Sequence, residues 1–361
     1  FPIIKKSMRE FIMTNKRVIS YREALNEALT QLMEKDESVF MYGPDVDDHK
    51  RSYGTGNSLV EKYGPARCFS TPLSEEAITG IGIGTALNGM RPIIMHIRVD
   101  FMLIAMNQLA NMAATICYGS NGRLAVPLVV RAVIGRGWGQ GFQHSKSLQS
   151  IFAHIPGLKV VMPTTPYDAK GLLISSVEDN NPVVFLEHRW LYDTKGEVPA
   201  DYYQVTLGKG NVLRPGCDLT VVATSWMNIE ALKAADIIQR RGVNIEVIDP
   251  RSISPLDEEL IISSVQKTGR CIVADYDWLN CGFSAEIAAL LQEKCFGKLK
   301  SPIVRLGFAP TPCPTTRPLE NEFYPNAVHI IRAVEKMLEL SESDLSRENF
   351  YSYENRFKGP F

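Results

Sequence analysis

Two adjacent carboxylates, Glu75 and Glu76, stand immediately before an apolar, glycine-rich stretch in TPLSEEAITGIGIGTALNGMRPI, residues 71–93. An ionised side chain at the mouth of a packed helix costs free energy unless something binds it. Two explanations are open: attraction to the positive end of the helix dipole, or a ligand hydrogen-bonded to one carboxyl group. This pattern makes the start of the predicted helix the first candidate for a ligand-binding or catalytic site.

A second candidate is His144, which follows the glycine-rich stretch GRGWGQG of residues 135–141. Four glycines in seven residues allow backbone conformations that a surface turn rarely needs, and Trp138 is placed to close over a ligand. Taken alone, the stretch is also typical of a flexible loop. A histidine beside it has a pKa range suited to proton transfer.

Several other chemistries have no motif in this chain. There is no G-x-G-x-x-G, no G-x-x-x-x-G-K-[ST], no H-E-x-x-H and no G-x-S-x-G. A nicotinamide, nucleoside triphosphate, zinc-protease or serine-hydrolase function is therefore unsupported.

Composition narrows the class of protein further. The formal net charge of −1 supplies no general field for nucleic acid or an acidic membrane, and no apolar run approaches the length of a membrane span. The seven scattered cysteines form no C-x-x-C pair, which argues against a structural zinc or an iron–sulfur cluster. They favour a reducing compartment, and we expect a cytoplasmic protein that binds neither nucleic acid nor membrane.

The elements that must position these residues alternate between helices and strands. Apolar spacing predicts a helix within residues 16–35, and the apolar run AVPLVVRAVIG is typical of a strand buried on both faces of a parallel sheet. A second alternating series begins at CDLTVVATSW, after a stretch without periodicity. We therefore predict an α/β fold with two three-layer αβα domains and mainly parallel sheets.

The expected boundaries follow from these changes of pattern. They are an N-terminal arm (1–15), a first domain (16–190), a linker (191–209), a second domain (210–340) and a C-terminal tail (341–361).

Three stretches together resemble a known family. They are TPLSEEAITGIGIGTALNGMRPI, QHSKSLQSIFAHIPGLKVVMPTTPYDAKGLLISSVEDNNPVVFLEHRWLY, and GCDLTVVATSWMNIEALKAADIIQRRGVNIEVIDPRSISPLDEELIISSVQKTGR. In order and spacing they closely resemble the β subunit of the thiamine-diphosphate-dependent 2-oxoacid dehydrogenases, which act on pyruvate, branched-chain 2-oxoacids or acetoin. The resemblance covers roughly residues 16–337. It implies a pyrimidine-binding domain followed by a transketolase C-terminal domain.

The resemblance gives Glu75 a role. The family pattern T-P-[IL]-x-E places Glu75 where a carboxyl group hydrogen-bonds the pyrimidine ring of thiamine diphosphate and favours its reactive tautomer. Glu76 falls where the family usually has an uncharged residue.

Further site residues are implied by position. Phe101 matches the aromatic residue that stacks on the pyrimidine, although an aromatic residue followed by Met and Leu is often simply core. Leu73 and Ile97 match positions lining the same ring. His144 matches the histidine that contacts the substrate or the acyl intermediate.

The family also implies a structural cation, similar to potassium. The stretch SSVEDNNP matches a site of main-chain and side-chain oxygens, which suit a hard cation. The alternative is a plain turn before Pro182. The implied ligands are Leu128, Ser176, Val177, Asp179 and Asn181.

The cofactor site is expected to be incomplete in one chain. The diphosphate needs a divalent metal, held in relatives by a G-D-G motif that this sequence lacks. The family arrangement is an α subunit that supplies the diphosphate and Mg²⁺ site within an α2β2 heterotetramer. The implied reaction is decarboxylation of a 2-oxoacid and acyl transfer to a lipoyl group, with a lipoyl acyltransferase as a further partner.

Some residues depart from the family pattern. Ser70 replaces a common Asp, Lys146 replaces a frequent Gln, and Arg98 and Asp100 add charges beside Phe101. Such charges favour a polar or anionic substrate. Two alternatives therefore stand beside the dehydrogenase: a two-chain, transketolase-like carboligase acting on an aldehyde or ketone, and a non-catalytic subunit that keeps only the fold.

Overall fold

The computed structural model describes residues 17–48, 52–135 and 140–350. The predicted N-terminal arm, half of the predicted tail and Trp138 lie outside the described residues.

Fourteen strands occur in the described part of the chain. They are β1 (Val18–Ser20), β2 (Val39–Gly43), β3 (Cys68–Ser70), β4 (Arg91–His96), β5 (Val129–Ile134), β6 (Lys159–Val161), β7 (Val183–His188), β8 (Lys195–Glu197), β9 (Asn211–Arg214), β10 (Leu219–Ala223), β11 (Ile245–Asp249), β12 (Ser252–Ser254), β13 (Cys271–Trp278) and β14 (Val304–Phe308).

The α-helices in the same ranges are α1 (Tyr21–Lys35), α2 (Leu59–Tyr63), α3 (Glu75–Leu87), α4 (Val99–Met102), α5 (Ala114–Gly119), α6 (Gln149–Ala153), α7 (Pro166–Glu178), α8 (Trp226–Gln239), α9 (Glu258–Thr268), α10 (Phe283–Cys295), α11 (Arg317–Phe323) and α12 (Ala327–Met337). A π-helix covers Asn107–Ala113, and 3₁₀ turns cover Leu103–Ala105, Gly141–Gln143 and Arg189–Leu191.

The first sheet has seven strands in the order β12-β6-β7-β5-β4-β2-β3. All neighbours are parallel except β12 and β6. Its central strands are buried on both faces, as the continuous apolar runs predict. The carboxyl ends of β2–β5 and β7 therefore meet at one edge of the sheet.

Alternate residues of these strands face two helical layers. Met41 and Val129 belong to the core formed with α1 and α7, whereas Tyr42 and Val130 face α3 and the π-helix. Helix α1 begins with a capping box between Ser20 and Glu23, a strong start signal.

The second sheet has five strands in the order β14-β13-β10-β11-β9, parallel except for β9. Helices α8 and α12 cover one face, and α9 and α10 cover the other. The predicted fold of two three-layer α/β domains is thus confirmed.

The two domains are joined more intimately than the expected boundaries suggest. Strand β12 lies within residues 210–340 but pairs with β6 in the first sheet, and β8, from the predicted linker, pairs with β1. The boundaries themselves stay predictions.

Within the described ranges, no single helix is long and apolar enough to cross a membrane. One pair of helical segments that meet at a bend, Val99–Ala105 and Asn107–Gly119, has together the length and apolar composition of a membrane span.

Candidate active site

Three segments that carry predicted site residues leave the same edge of the first sheet. Strand β3 leads into Leu73 and Glu75, β4 leads into Ile97 and Phe101, and β5 ends at Ile134, upstream of His144. Because β3, β2, β4 and β5 are parallel neighbours, all three segments start at their carboxyl edge. Ligand sites of open parallel sheets lie at this edge.

Helix α3 holds Glu75 close to the sheet because its small residues permit close packing. A Cβ atom at Gly82 would lie 2.7 Å from the Tyr42 hydroxyl oxygen and 2.9 Å from Ile94 Cδ1. One turn into the helix, Thr79 Oγ1 lies 3.5 Å from His96 Nε2 at the end of β4. The first turn of α3 therefore lies beside the segment that carries Ile97.

Glu75 is the first residue of α3 and is half-buried. Ser74 makes no side-chain cap there, and within the described ranges no group donates a hydrogen bond to the Glu75 carboxylate. Leu73 is 79% exposed. A half-buried carboxylate beside an exposed apolar side chain suits a ring with a polar nitrogen, so these residues fit the pyrimidine of thiamine diphosphate.

Phe101 and His144 come together although 43 positions separate them in the sequence. Their ring centroids are 5.2 Å apart and their planes meet at 76°. Both rings are half-buried. An edge-to-face pair of this kind fixes the imidazole while leaving it accessible from the edge of the sheet.

A charged cluster of Arg98, Asp100 and Lys146 surrounds this ring pair. The buried Arg98 guanidinium donates hydrogen bonds to the Gly135 carbonyl and to Gln140 Oε1, the two flanks of the glycine-rich loop. Burial lowers the pKa of Arg98, and the Asp100 charge opposes this shift. The sequence showed these charges as departures from the family pattern but not that they contact one another.

Lys146 completes the cluster from the His144 segment. Its Nζ donates to Asp100 Oδ1 at 3.0 Å and to the Phe142 carbonyl at 2.7 Å. Asp100 is adjacent to Phe101, and Lys146 is two residues from His144. The ion pair therefore holds the two segments that bear the ring pair.

The residues implied for the cation lie at the opposite edge of the sheet. Leu128 immediately precedes β5, and Ser176, Val177, Asp179 and Asn181 precede β7.

Oxygen atoms of the implied cation ligands already contact positively charged side chains of the protein. Arg91 donates to the carbonyls of Val177 at 2.8 Å and Asp179 at 3.1 Å, and Lys159 pairs with the Asp179 carboxylate. The residues therefore fit an added cation poorly. The potassium-like ion stays a prediction from the sequence.

Some residues that shape the site gave no signal in the sequence. The Tyr324 hydroxyl, from the second domain, donates to the Ser145 carbonyl at 3.1 Å. Gln149 Nε2 donates to both carboxylate oxygens of Asp275 at 3.0 Å. Contacts over such sequence separations cannot be read from local pattern.

Two family models match the chain. The transketolase pyrimidine-binding domain matches residues 17–195, and the transketolase C-terminal domain matches residues 208–330.

Curated relatives match almost end to end. The chain is 40% identical over 334 residues to the Bacillus subtilis acetoin:2,6-dichlorophenolindophenol oxidoreductase subunit beta, covering 89% of this chain and 98% of that protein. It is 41% identical to the B. subtilis 2-oxoisovalerate dehydrogenase subunit beta, covering 89% and 99%. It is 39% identical to the Porphyra purpurea pyruvate dehydrogenase E1 component subunit beta, covering 89% and 97%.

Among solved structures, the chain resembles a split-gene transketolase described as an inactive beta4 tetramer. The TM-score is 0.73 at 24% identity, covering 90% of this chain and all of that one. This likeness supports the fold alone.

Proposed function

Because the chain belongs to the family of β subunits of thiamine-diphosphate-dependent 2-oxoacid dehydrogenases, we propose that its site decarboxylates a 2-oxoacid and transfers the acyl group to a lipoyl or other acceptor. One observation carries this proposal. Glu75, Phe101 and His144 follow parallel strands to one sheet edge, where the Phe101 and His144 rings lie 5.2 Å apart.

Each residue has a role in this proposal. Thiamine diphosphate, when bound, supplies the carbon nucleophile and the electron sink. Glu75 hydrogen-bonds the pyrimidine nitrogen, and Leu73, Ile97 and Phe101 surround the ring and exclude water. His144 orients the substrate and moves a proton at its imidazole nitrogen.

A partner α subunit is part of the proposal, as the β-subunit names of the relatives suggest. Helix α3 contacts the turn at 103–105 and the π-helix, and these neighbouring elements expose large apolar side chains. Exposed apolar side chains on neighbouring elements are typical of a subunit interface. These side chains, here called the apolar surface, are Leu73, Ile81, Leu87, Leu103, Ile104, Met112 and Tyr118.

We propose that the α subunit covers the apolar surface in an α2β2 heterotetramer and brings the diphosphate and Mg²⁺ site. A lipoyl acyltransferase is the proposed acceptor partner. A cytoplasmic location also belongs to the proposal, and the seven free cysteines support a reducing compartment.

The decisive experiment uses this chain co-expressed with an α subunit that carries G-D-G. Release of carbon dioxide from a panel of 2-oxoacids is measured together with reductive acylation of a lipoyl domain. We expect both activities, and Glu75→Gln should lower them by at least about 100-fold because the ring loses its carboxyl partner.

Glu76→Gln is the matched control, because Glu76 is exposed and adjacent. Its activity should stay within about threefold of the parent, as for most surface substitutions. Equal losses in the two variants, or full activity of Glu75→Gln, would contradict the assignment.

The carboligase is the second candidate, and the charged cluster beside the ring pair favours it because such charges suit a polar co-substrate. Product formation from an added aldehyde without a lipoyl acceptor would identify this activity.

The potassium-like cation is a separate proposal that rests on the family pattern. If it binds, potassium chloride should raise the melting temperature relative to choline chloride at equal ionic strength. Identical melting temperatures would count against it.

A further inference from the structure

A pocket of about 540 Å³ opens between the two domains beside the His144 segment. We call it the interdomain pocket. One wall comes from Phe142, Ser145 and Lys146, which flank His144 in the sequence, and the other comes from the second domain. The second-domain wall consists of Trp278, Asn280, Pro310, Thr311, Pro312, Cys313 and Phe323. The volume lies in the range of small-molecule sites.

The walls are held in place by hydrogen bonds and close packing. Trp278 Nε1 donates to the Thr311 carbonyl at 3.0 Å, and the Tyr324 hydroxyl ties the second domain to the Ser145 carbonyl. A Cβ atom at Gly141 would lie 2.6 Å from Thr315 Oγ1. The pocket is therefore largely formed before any ligand arrives.

Charge is distributed unevenly over the lining. Among the described lining residues, Lys146 alone carries a charged side chain, and the others are aromatic, proline or uncharged polar residues. Lys146 Nζ donates two hydrogen bonds, to Asp100 and Phe142, so its third N–H has no acceptor among the described residues.

The charged cluster leaves an excess of positive charge. Asp100 lies between two cations, because Arg98 Nε is 3.9 Å from Asp100 Oδ2 and Lys146 Nζ is 3.0 Å from Oδ1. One carboxylate cannot neutralise both cations. A ligand carboxylate at Lys146 would neutralise the remaining positive charge.

We propose that the interdomain pocket binds an organic anion with an apolar body, its carboxylate on Lys146 and its body against Trp278 and the proline-lined wall. Taken with the proposed function, on which this part of the inference rests, the ligand is the 2-oxoacid or a carboxylated acyl acceptor.

The test uses 3-phenylpropionate and its neutral isostere 3-phenylpropanamide. Neither probe has the 2-oxo group at which a 2-oxoacid reacts. Binding to the full chain and to the α/β complex is measured by calorimetry. We expect the carboxylate to bind about tenfold more tightly than the amide, as one charge-assisted hydrogen bond provides. Lys146→Met should abolish the difference, and Lys146→Arg should retain it.

Two further variants guard against a folding defect. Asn280→Asp changes an exposed lining residue and should weaken binding of the carboxylate but not of the amide. Lys298→Met removes an exposed lysine outside the lining and should change neither affinity. Equal affinities of the two probes for the parent, or an unchanged preference in both Lys146→Met and Asn280→Asp, would overturn the inference.

Inhibition kinetics then identify the ligand. If 3-phenylpropionate competes with the 2-oxoacid, the pocket binds the 2-oxoacid. If it competes with the acyl acceptor, the pocket binds the acceptor. Competition with neither overturns the substrate assignment. Because calorimetry needs no turnover, an inactive complex that still discriminates the probes would refute the proposed function and leave the pocket assignment standing.

Discussion

Buried carboxylates lie where the first domain meets the second. Asp249, at the end of β11, is fully buried, and its Oδ1 accepts a hydrogen bond from the Arg251 backbone N–H at 2.9 Å. Asp168, from α7, pairs with Arg251 Nη2 at 2.7 Å. Burial, together with the nearby Asp168 charge, raises the pKa of Asp249 to about 7. A single residue thus makes the stability of this junction depend on pH.

We predict that the free energy of unfolding falls as the pH rises towards 7. Between the unfolded pKa of 3.8 and the folded pKa of about 7, the folded chain keeps a proton that the unfolded chain loses. From pH 5.5 to 8, Asp249 should account for a loss of about 2 kcal/mol. Denaturant unfolding at several pH values measures it.

Asp249→Asn should remove this part of the pH dependence, because the amide oxygen can still accept from Arg251. Asp201→Asn, at an exposed carboxylate, is the control and should follow the parent. A parent-like pH profile for Asp249→Asn would refute the prediction.

At the scale of elements, the approach of α3 to the sheet decides where Glu75 lies. An added Cβ at Gly82 would lie closer than van der Waals distance to Tyr42 and Ile94, whereas an added Cβ at Gly84 would meet no atom from outside its own helix backbone within 4 Å. Helical spacing in the sequence predicts a buried helix here, but the predicted inward face, Ala77, Ile81, Gly84, Thr85 and Asn88, is wrong: Ala77, Ile81, Gly84 and Asn88 are exposed. The face that packs against the sheet is instead Ile78, Thr79, Gly82, Ile83 and Ala86. Small and apolar residues occur on both faces of this helix, so spacing alone does not select the buried one.

We predict that Gly82→Ala lowers the free energy of unfolding by about 1–3 kcal/mol, because the helix must move away from the sheet. Gly84→Ala, in the same helix, should be neutral or stabilise by up to about 1 kcal/mol through helix propensity. Chemical denaturation of the isolated chain measures both. Equal effects would show that the packing distance is not the cause.

The exposed elements next to α3 include the π-helix at Asn107–Ala113. The stretch NQLANMAATICYG is rich in small residues and favours a helix, and the structure divides it between the π-helix and α5. Side-chain spacing in a sequence does not distinguish an α-helix from a π-helix. Their backbone hydrogen bonds span four and five residues, and this difference is visible only in the backbone geometry.

At the scale of the whole molecule, the apolar surface lies on the first domain, on α3, which begins at Glu75, and on the neighbouring 103–105 turn, π-helix and α5. Under the proposed function, assembly and completion of the cofactor site are one event, because α3 contributes both to the apolar surface and to the sheet edge where Glu75 lies. Burial of apolar area is the main source of binding energy in permanent complexes.

We predict that Ile104→Glu prevents assembly with the α subunit, because a carboxylate would be buried in the interface. Phe296→Glu is the control, since Phe296 is 79% exposed on the second domain and should assemble normally. Light scattering after size-exclusion chromatography measures the mass of each complex. A normal complex from Ile104→Glu would place the α subunit elsewhere.

The sequence by itself determined the alternating α/β order, the two domains and the candidates Glu75, Phe101 and His144. The alternating order and the two domains depend on local apolar periodicity, and the three candidates depend on short motifs that resemble those of a known family. The tertiary structure alone decided that Arg98, Asp100 and Lys146 form one charged cluster, that β12 crosses into the first sheet, and that a pocket opens between the domains. Each of these depends on contacts between distant segments, whose partners are chosen by packing and burial rather than by neighbouring residues.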